Sequence, residues 1–387
     1  IEATVEAPAF RLDVAPATLA QYAMTYLRNK GVLYLESLAE DASSPKRVEW
    51  LLDGEWTAHE DIDELPEGET LRFRIVGMNA VLLHRHTARA ELGEIFTAPV
   101  PVRPYDVMNE LGSECVDEDD HMTLSLSVYW YVWNPERSGC TGETQDMTIT
   151  VSRVLPKKDS YPEYDRLVED GKITNVVLFG EISDNMGDND PGFRNLRRMA
   201  SNLERAGYEE VDAPLGRRFV KTVSGVVIEM DLYSPDVFSG LSDHQNFGNF
   251  ETAIREHEIV AYDGHSMLGA SDFWSRPEYP EHYQIYLYGG CLGYEYYVRP
   301  IVEAKPGGWD SVDIVSSVIP VSADANYYVG PFLSKLERAL NQDFKVGWKE
   351  ILGAIRTGVG DSTFGASGVR DNCFDPAGSR CDELPVE

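Results

Sequence analysis

The stretch from Glu258 to Tyr297 sets the tightest limit on what this chain can fold into. It reads EIVAYDGHSMLGASDFW, then a proline-rich turn, then HYQIYLYGGCLGYEYY. Two apolar runs, Ile259–Tyr262 and Tyr283–Tyr288, each pass into glycine and then deliver one reactive side chain, His265 and Cys291. Short β-branched and aromatic runs bounded by turn residues predict strands buried on both faces of a parallel sheet. In open α/β sheets ligands sit beyond the carboxyl ends of such strands. If the two strands are parallel neighbours, the imidazole and the thiol emerge side by side.

A chain of 387 residues exceeds one small core and predicts about two domains. No run approaches the roughly 18 to 20 apolar residues that a membrane-spanning helix needs, so no membrane insertion is expected. The formal net charge is −31, from 65 acidic against 34 basic side chains. Such a field repels phosphate backbones and anionic lipid, which argues against nucleic acid and membrane surfaces as partners. Cations, basic peptides or a salty exterior fit it. The sequence starts at Ile1 with no signal-type leader, and the expectation is a secreted or cell-surface protein, periplasmic or extracellular, whose leader has been removed. Five cysteines extend this reading. Cys115 with Cys140, and Cys373 with Cys381, are expected as disulfides, since each pair closes a short loop in irregular chain. Cys291 is left over, as an intermolecular bridge, a buried thiol or a reactive one.

Taken in order, residues 1–155 predict an all-β, sandwich-like domain, with a small barrel as the alternative. Its expected strands are Val32–Leu38, Arg47–Leu52, Thr70–Val76, Val81–His86, Glu94–Val102, Met122–Trp133 and Asp146–Leu155, with one early helix over Pro16–Arg28. The aromatic run Ser125–Trp133 reads as a core strand, with a carbohydrate-stacking or docking surface as the alternative. Residues 156–174 are expected to be a linker. From 175 to 357 the pattern alternates strand and helix, which predicts βαβ crossovers and a mostly parallel sheet flanked by helices. The tail from 358 to 387 reads as irregular.

A thiolate nucleophile needs a nearby imidazole, and acyl transfer needs backbone N–H donors aimed at the developing oxyanion. Gly264, Gly289 and Gly290 lack a Cβ and would let backbone approach a substrate. The amides of Ser266 and Cys291 are reasonable oxyanion donors. An apolar strand ending in Gly-His, followed by an apolar strand ending in a small residue and Cys, resembles the caspase-like superfamily of cysteine peptidases, which includes gingipains, clostripain, legumain and caspases. The likeness covers roughly residues 175–345. Asn175–Ile182 with its following helix resembles the first βα unit of that fold, and Val312–Ser322 with Tyr328–Leu340 its last. Asp263-Gly264-His265-Ser266 comes nearest the gingipain-type Gly-His-Gly signature and departs from it at Ser266. No acidic residue directly precedes Cys291, so an arginine-specific pocket is not carried over. The resemblance implies a caspase-like sheet, His265 as general acid/base and Cys291 as the nucleophile that forms a thioester. The alternative is an inactive scaffold of the same fold, serving as a surface, adhesion or self-assembling protein.

Asp184, Asp188 and Asp190, in the loop after the first predicted strand of this domain, are candidate calcium ligands. Asp190-Pro191 also has the look of a helix N-cap with a first-turn proline, and that is the preferred reading. His84 and His86 share one strand face but lack a third metal ligand. Asp263 could orient a substrate or pin the turn before His265, and the second is the preferred reading. Trp274 and the tyrosines 294, 296 and 297 are read as core rather than pocket. The expected protein is thus a secreted cysteine endopeptidase acting on peptide or protein substrates. No cofactor is required, calcium is an option, and a homo-oligomer is an open alternative.

Overall fold

The computed structural model describes residues 1–8, 11–30, 48–76, 91–111, 114–117, 132–152, 159–183, 187–238, 246–265, 274–291, 293–317, 321, 328–360, 364–369 and 371–378. The chain is mixed α/β and divides into two compact units, Ile1–Lys157 and Lys158–Glu387.

In the first unit, β1 (Glu2–Val5), β2 (Val48–Leu52), β3 (Glu55–Ala58), β4 (Leu71–Ile75), β5 (Ile95–Pro101) and β6 (Thr144–Thr150) form one antiparallel sheet in the order β3-β2-β4-β1-β6-β5. Asp53 and Gly54, both at positive φ (52° and 89°), close the β2–β3 hairpin. A two-residue turn of this kind matches the twist of the strands it joins. Alternate residues of β4 are buried (Leu71, Phe73, Ile75), the pattern of a sheet with one covered face. The helix Ala15–Asn29 packs against β4 and β5, burying Leu19, Tyr22, Ala23 and Leu27. Tyr22 meets Trp133 edge to face at 5.2 Å, and the fully buried Trp133 donates its indole N–H to Pro99 O at 2.9 Å. Trp133 is therefore core. Val32–Leu38, Val81–His86 with His84 and His86, and residues 125–131 lie outside the described residues, and the described part holds one sheet with the helices Ala15–Asn29 and Pro104–Glu110 rather than two stacked sheets. The expected Cys115–Cys140 disulfide is present. Cys373 of the second unit is also disulfide-bonded, and its expected partner Cys381 lies outside the described residues.

The second unit holds an eight-stranded sheet of β7 (Lys172–Phe179), β8 (Glu209–Val211), β9 (Arg217–Val223), β10 (Val226–Tyr233), β11 (Ile259–Asp263), β12 (Gln284–Tyr288), β13 (Val312–Ser316) and β14 (Gly365–Ser367). The order is β14-β13-β12-β11-β7-β10-β9-β8. The five central strands, from β13 to β10, run parallel. β14 joins one edge and the β9–β8 pair the other, all antiparallel, so the sheet is mixed. Every residue of β11, β12 and β13 is buried. That follows from helices on both faces. Ile259, Ala261, Ile285 and Leu287 face the helices Pro191–Arg205, Val329–Asn341 and Trp348–Val359, while Val260, Tyr262, Tyr286 and Tyr288 face Phe247–Glu256 and Gly293–Ala304.

Two expected boundaries move. Within residues 159–174, expected as linker, the short helix Tyr164–Leu167 buries both of its end residues in the second core, and β7 starts at Lys172. Part of the expected irregular tail forms β14, because Gly365-Ala366-Ser367 pairs with Ile314–Ser316 although its residues have little strand preference.

Candidate active site

After β7 the chain builds β8, β9 and β10 on one side, ending next to β7 at β10, and then returns to β11 on the other side of β7. The strand order therefore reverses between β7 and β11, the position at which open α/β sheets bind ligands beyond the carboxyl ends of their strands. His265 lies two residues past the end of β11. It is exposed, and its Nε2 lies 2.7 Å from Ile182 O in the segment that follows β7. A carbonyl oxygen only accepts, so Nε2 carries the hydrogen, and in the neutral ring Nδ1 is left as the basic nitrogen.

The backbone beneath His265 is fixed by close packing. Tyr262, the last tyrosine of β11, is fully buried and donates its hydroxyl to His265 O at 3.0 Å. That hydroxyl sits against two glycines. A Cβ at Gly264 would lie 2.5 Å from it, and one at Gly180 would lie 3.0 Å away. The space that Gly264 leaves is thus filled by Tyr262, rather than kept open for a substrate as the sequence led us to expect. Asp263 ties the end of β11 to β7 and to the helix Pro191–Arg205. Its main-chain oxygen accepts from Gly180 N at 2.9 Å, and its buried carboxyl accepts from Asn195 Nδ2 at 3.1 Å.

Asp190 is completely buried and caps the helix Pro191–Arg205. Its Oδ1 accepts from Gly192 N at 2.7 Å, and its Oδ2 from Ile182 N at 3.0 Å and Ser183 N at 2.6 Å. The cap reading holds for Asp190. Asp184 and the side chain of Asp188 lie outside the described residues, so the candidate calcium set is not seen together. Among the described residues no group of three or more acidic, histidine or cysteine side chains is arranged to hold a metal.

Cys291 follows β12 after two buried glycines, Gly289 and Gly290, and the helix Gly293–Ala304 begins two residues later. Gly289 N donates to Tyr262 O at 2.9 Å, tying the two strand ends together. The register pairs Tyr262 with Tyr288, so His265 and Cys291 each stand three residues past paired positions on adjacent parallel strands. Their present partners differ. The half-buried thiol lies 3.4 Å from Val321 N, which donates to it, and 3.5 Å from Val321 O, beyond β13. Among the described residues neither side chain is hydrogen-bonded to the other. Ser266 lies outside the described residues.

Trp274 and Tyr297 are core. They are fully buried and pack with Tyr288 at ring separations of 4.8 Å and 4.4 Å, while Tyr294 is partly buried and the Tyr296 side chain is outside the described set. Three contributors to the site carry no signal that a sequence reading would single out. Ile182 and Val321 act through their main chains, and Tyr262 looks like any core aromatic until its hydroxyl is placed. Compared with known proteins, the chain matches no family model, and no curated protein matches it.

Proposed function

We propose that the second unit is a cysteine peptidase of the caspase/gingipain-like kind, with Cys291 as nucleophile and His265 as general acid/base. One observation carries the reading: adjacent parallel strands present a histidine and, among the described residues, the one free cysteine at matched positions, next to the point where the strand order reverses. The Nε2–H bond to Ile182 O leaves Nδ1 to handle the proton. The Cys291 sulfur attacks the peptide carbonyl carbon, and the C–N bond breaks as the imidazolium gives its proton to the departing amine. Water, deprotonated by the same ring, then cleaves the thioester and restores the thiol. The strand-end amides of Gly290 and Cys291 and the start of the Gly293–Ala304 helix would donate to the developing oxyanion. A secreted or cell-surface setting fits the disulfide, the acidic surface and the absence, among the described residues, of any helix long and apolar enough to cross a membrane.

One observation favours the alternative of an inactive scaffold: ring and thiol are held by different loops, Ile182 on one side and Val321 on the other. Productive catalysis requires Cys291 to leave Val321 and turn toward Nδ1. Cleavage of a peptide library by the full chain, with and without calcium, separates the two readings. The peptidase predicts cleavage that Cys291→Ala abolishes and His265→Ala lowers by roughly 10² or more. Cleavage unchanged in Cys291→Ala, or no cleavage together with a Cys291 that iodoacetamide labels no faster than in His265→Ala, leaves the scaffold reading standing.

A further inference from the structure

A helix N-cap needs one side-chain acceptor for one orphan amide, and serine, threonine or asparagine would supply it. Asp190 does more than this. It is completely buried, and both of its oxygens are engaged. Only Oδ1 serves the helix, through Gly192 N, while Oδ2 reaches back to the amides of Ile182 and Ser183, eight and seven residues earlier. Those two residues form the segment whose carbonyl, Ile182 O, accepts from His265 Nε2. The amide of Ile182 and its carbonyl belong to one residue, so clamping the first limits where the second points. A carboxylate is the side chain with two acceptor oxygens and no donor, which this double duty requires. The helix start is also held against the same segment, because a Cβ at Gly192 would lie 2.3 Å from Gly180 O.

We infer that Asp190 is a positioning residue for His265: by holding the Ile182 and Ser183 amides it aims the Ile182 carbonyl at Nε2, which fixes the ring orientation and keeps Nδ1 as the basic nitrogen. Its bearing on catalysis rests on the proposed role of His265, whereas its effect on the imidazole does not.

The decisive variant is Asp190→Ser in the full chain, because serine still caps the helix but leaves the two loop amides without their acceptor. The first readout is the side-chain nitrogen spectrum of His265, assigned by its loss in His265→Ala. The unmodified chain should show the neutral ring with hydrogen on Nε2, and Asp190→Ser should show a mixture of both tautomers. The second is the pH profile of Cys291 alkylation by iodoacetamide, whose maximal rate should fall roughly tenfold in Asp190→Ser, a fraction of the 10² or more expected from general acid–base assistance. Thermal unfolding shows whether the variant is folded, and if it is not, Asp190→Asn, which keeps one acceptor, takes its place. A ring protonated on Nδ1 in the unmodified chain overturns the inference whether or not any variant folds. So does an unchanged tautomer in a folded variant. If alkylation is already indifferent to His265→Ala, the peptidase reading fails, while the tautomer result still decides the role of Asp190.

Discussion

At the scale of single residues, the site depends on a hydroxyl that occupies the room of a missing side chain. Tyr262 OH rests on Gly264 and Gly180 and holds His265 O at 3.0 Å, so the turn cannot accept a Cβ at Gly264 without moving the tyrosine. Gly264→Ala is therefore expected to destabilise the chain by about 1–3 kcal/mol, the usual range for overpacking a tight site. It should also slow alkylation of Cys291, because the displaced turn carries the imidazole. Tyr262→Phe alone should cost about 1 kcal/mol through the lost hydrogen bond. With the hydroxyl gone, Gly264→Ala should do less harm, so urea denaturation of the two single variants and the double variant should show a non-additive pair. Full additivity would mean that the hydroxyl is not what excludes the side chain. Asp190 was readable from sequence, because Asp190-Pro191 announces a cap. Tyr262 was not, because its role needs β7, β11 and the turn to be in place together.

Among the elements, the strands buried on both faces were the legible ones. Ile259–Asp263 and Gln284–Tyr288 are apolar without alternation, and the sheet uses them as neighbouring central strands. The β9–β10 hairpin was missed in part. Val226–Leu232 reads as a strand, but Arg217–Val223 (RRFVKTV) is too cationic to read as one until its partner is known. Arg218 supplies the reason for a cation there. It grips Asp231 on β10 with two bonds of 2.6 Å and 2.7 Å, and His257 lies 3.2 Å from the same carboxylate. Burial alone would push the Asp231 carboxyl up, but the bonds from Arg218 and His257 prevail and hold it below its ordinary range. Arg218→Ala should then cost on the order of 3 kcal/mol by leaving that carboxylate buried with its main partner gone. Urea denaturation of Arg218→Ala at pH 7 tests this, and adding Asp231→Asn should recover much of the loss. An Arg218→Ala chain as stable as the parent would show that the pair does not anchor the hairpin. The contribution of Asp231 is present above the unfolded carboxyl range and disappears as the pH falls through its lowered folded value, so the parent and Arg218→Ala should converge in acid.

For the molecule as a whole, the sequence showed an alternating α/β pattern and a strong negative charge, but not the strand order, the antiparallel edges or which acids are buried. Those depend on contacts between distant segments. Asp313, on β13, is the clearest case. It is fully buried, and one of its oxygens accepts from Tyr283 OH at 2.5 Å, Trp348 Nε1 at 3.0 Å and Asn372 Nδ2 at 2.7 Å, while the other has no partner among the described residues. Burial pushes its carboxyl up to about 7, against the pull of those three donors and with Glu163 nearby adding to the rise. Glu258 is likewise raised to about 7, chiefly by burial. An acid whose folded value lies above its unfolded value binds its proton more tightly when folded. Stability from such a group is present at low pH and declines between roughly pH 4 and 7, the interval between its unfolded and folded values. The midpoint of urea unfolding is therefore expected to fall from pH 5 to pH 8. Self-repulsion of a chain with net charge −31 acts in the same direction, so the two causes must be separated. Added salt does this, because about 0.5 M screens exposed charges strongly and a buried carboxyl hardly at all. The part of the slope that survives salt should shrink in Asp313→Asn, whose amide oxygen can still accept from Tyr283, Trp348 and Asn372 but carries no ionisable proton. A midpoint that rises from pH 5 to pH 8 at high salt, or a slope untouched by Asp313→Asn, would show that the buried carboxyl does not govern the pH dependence of the fold.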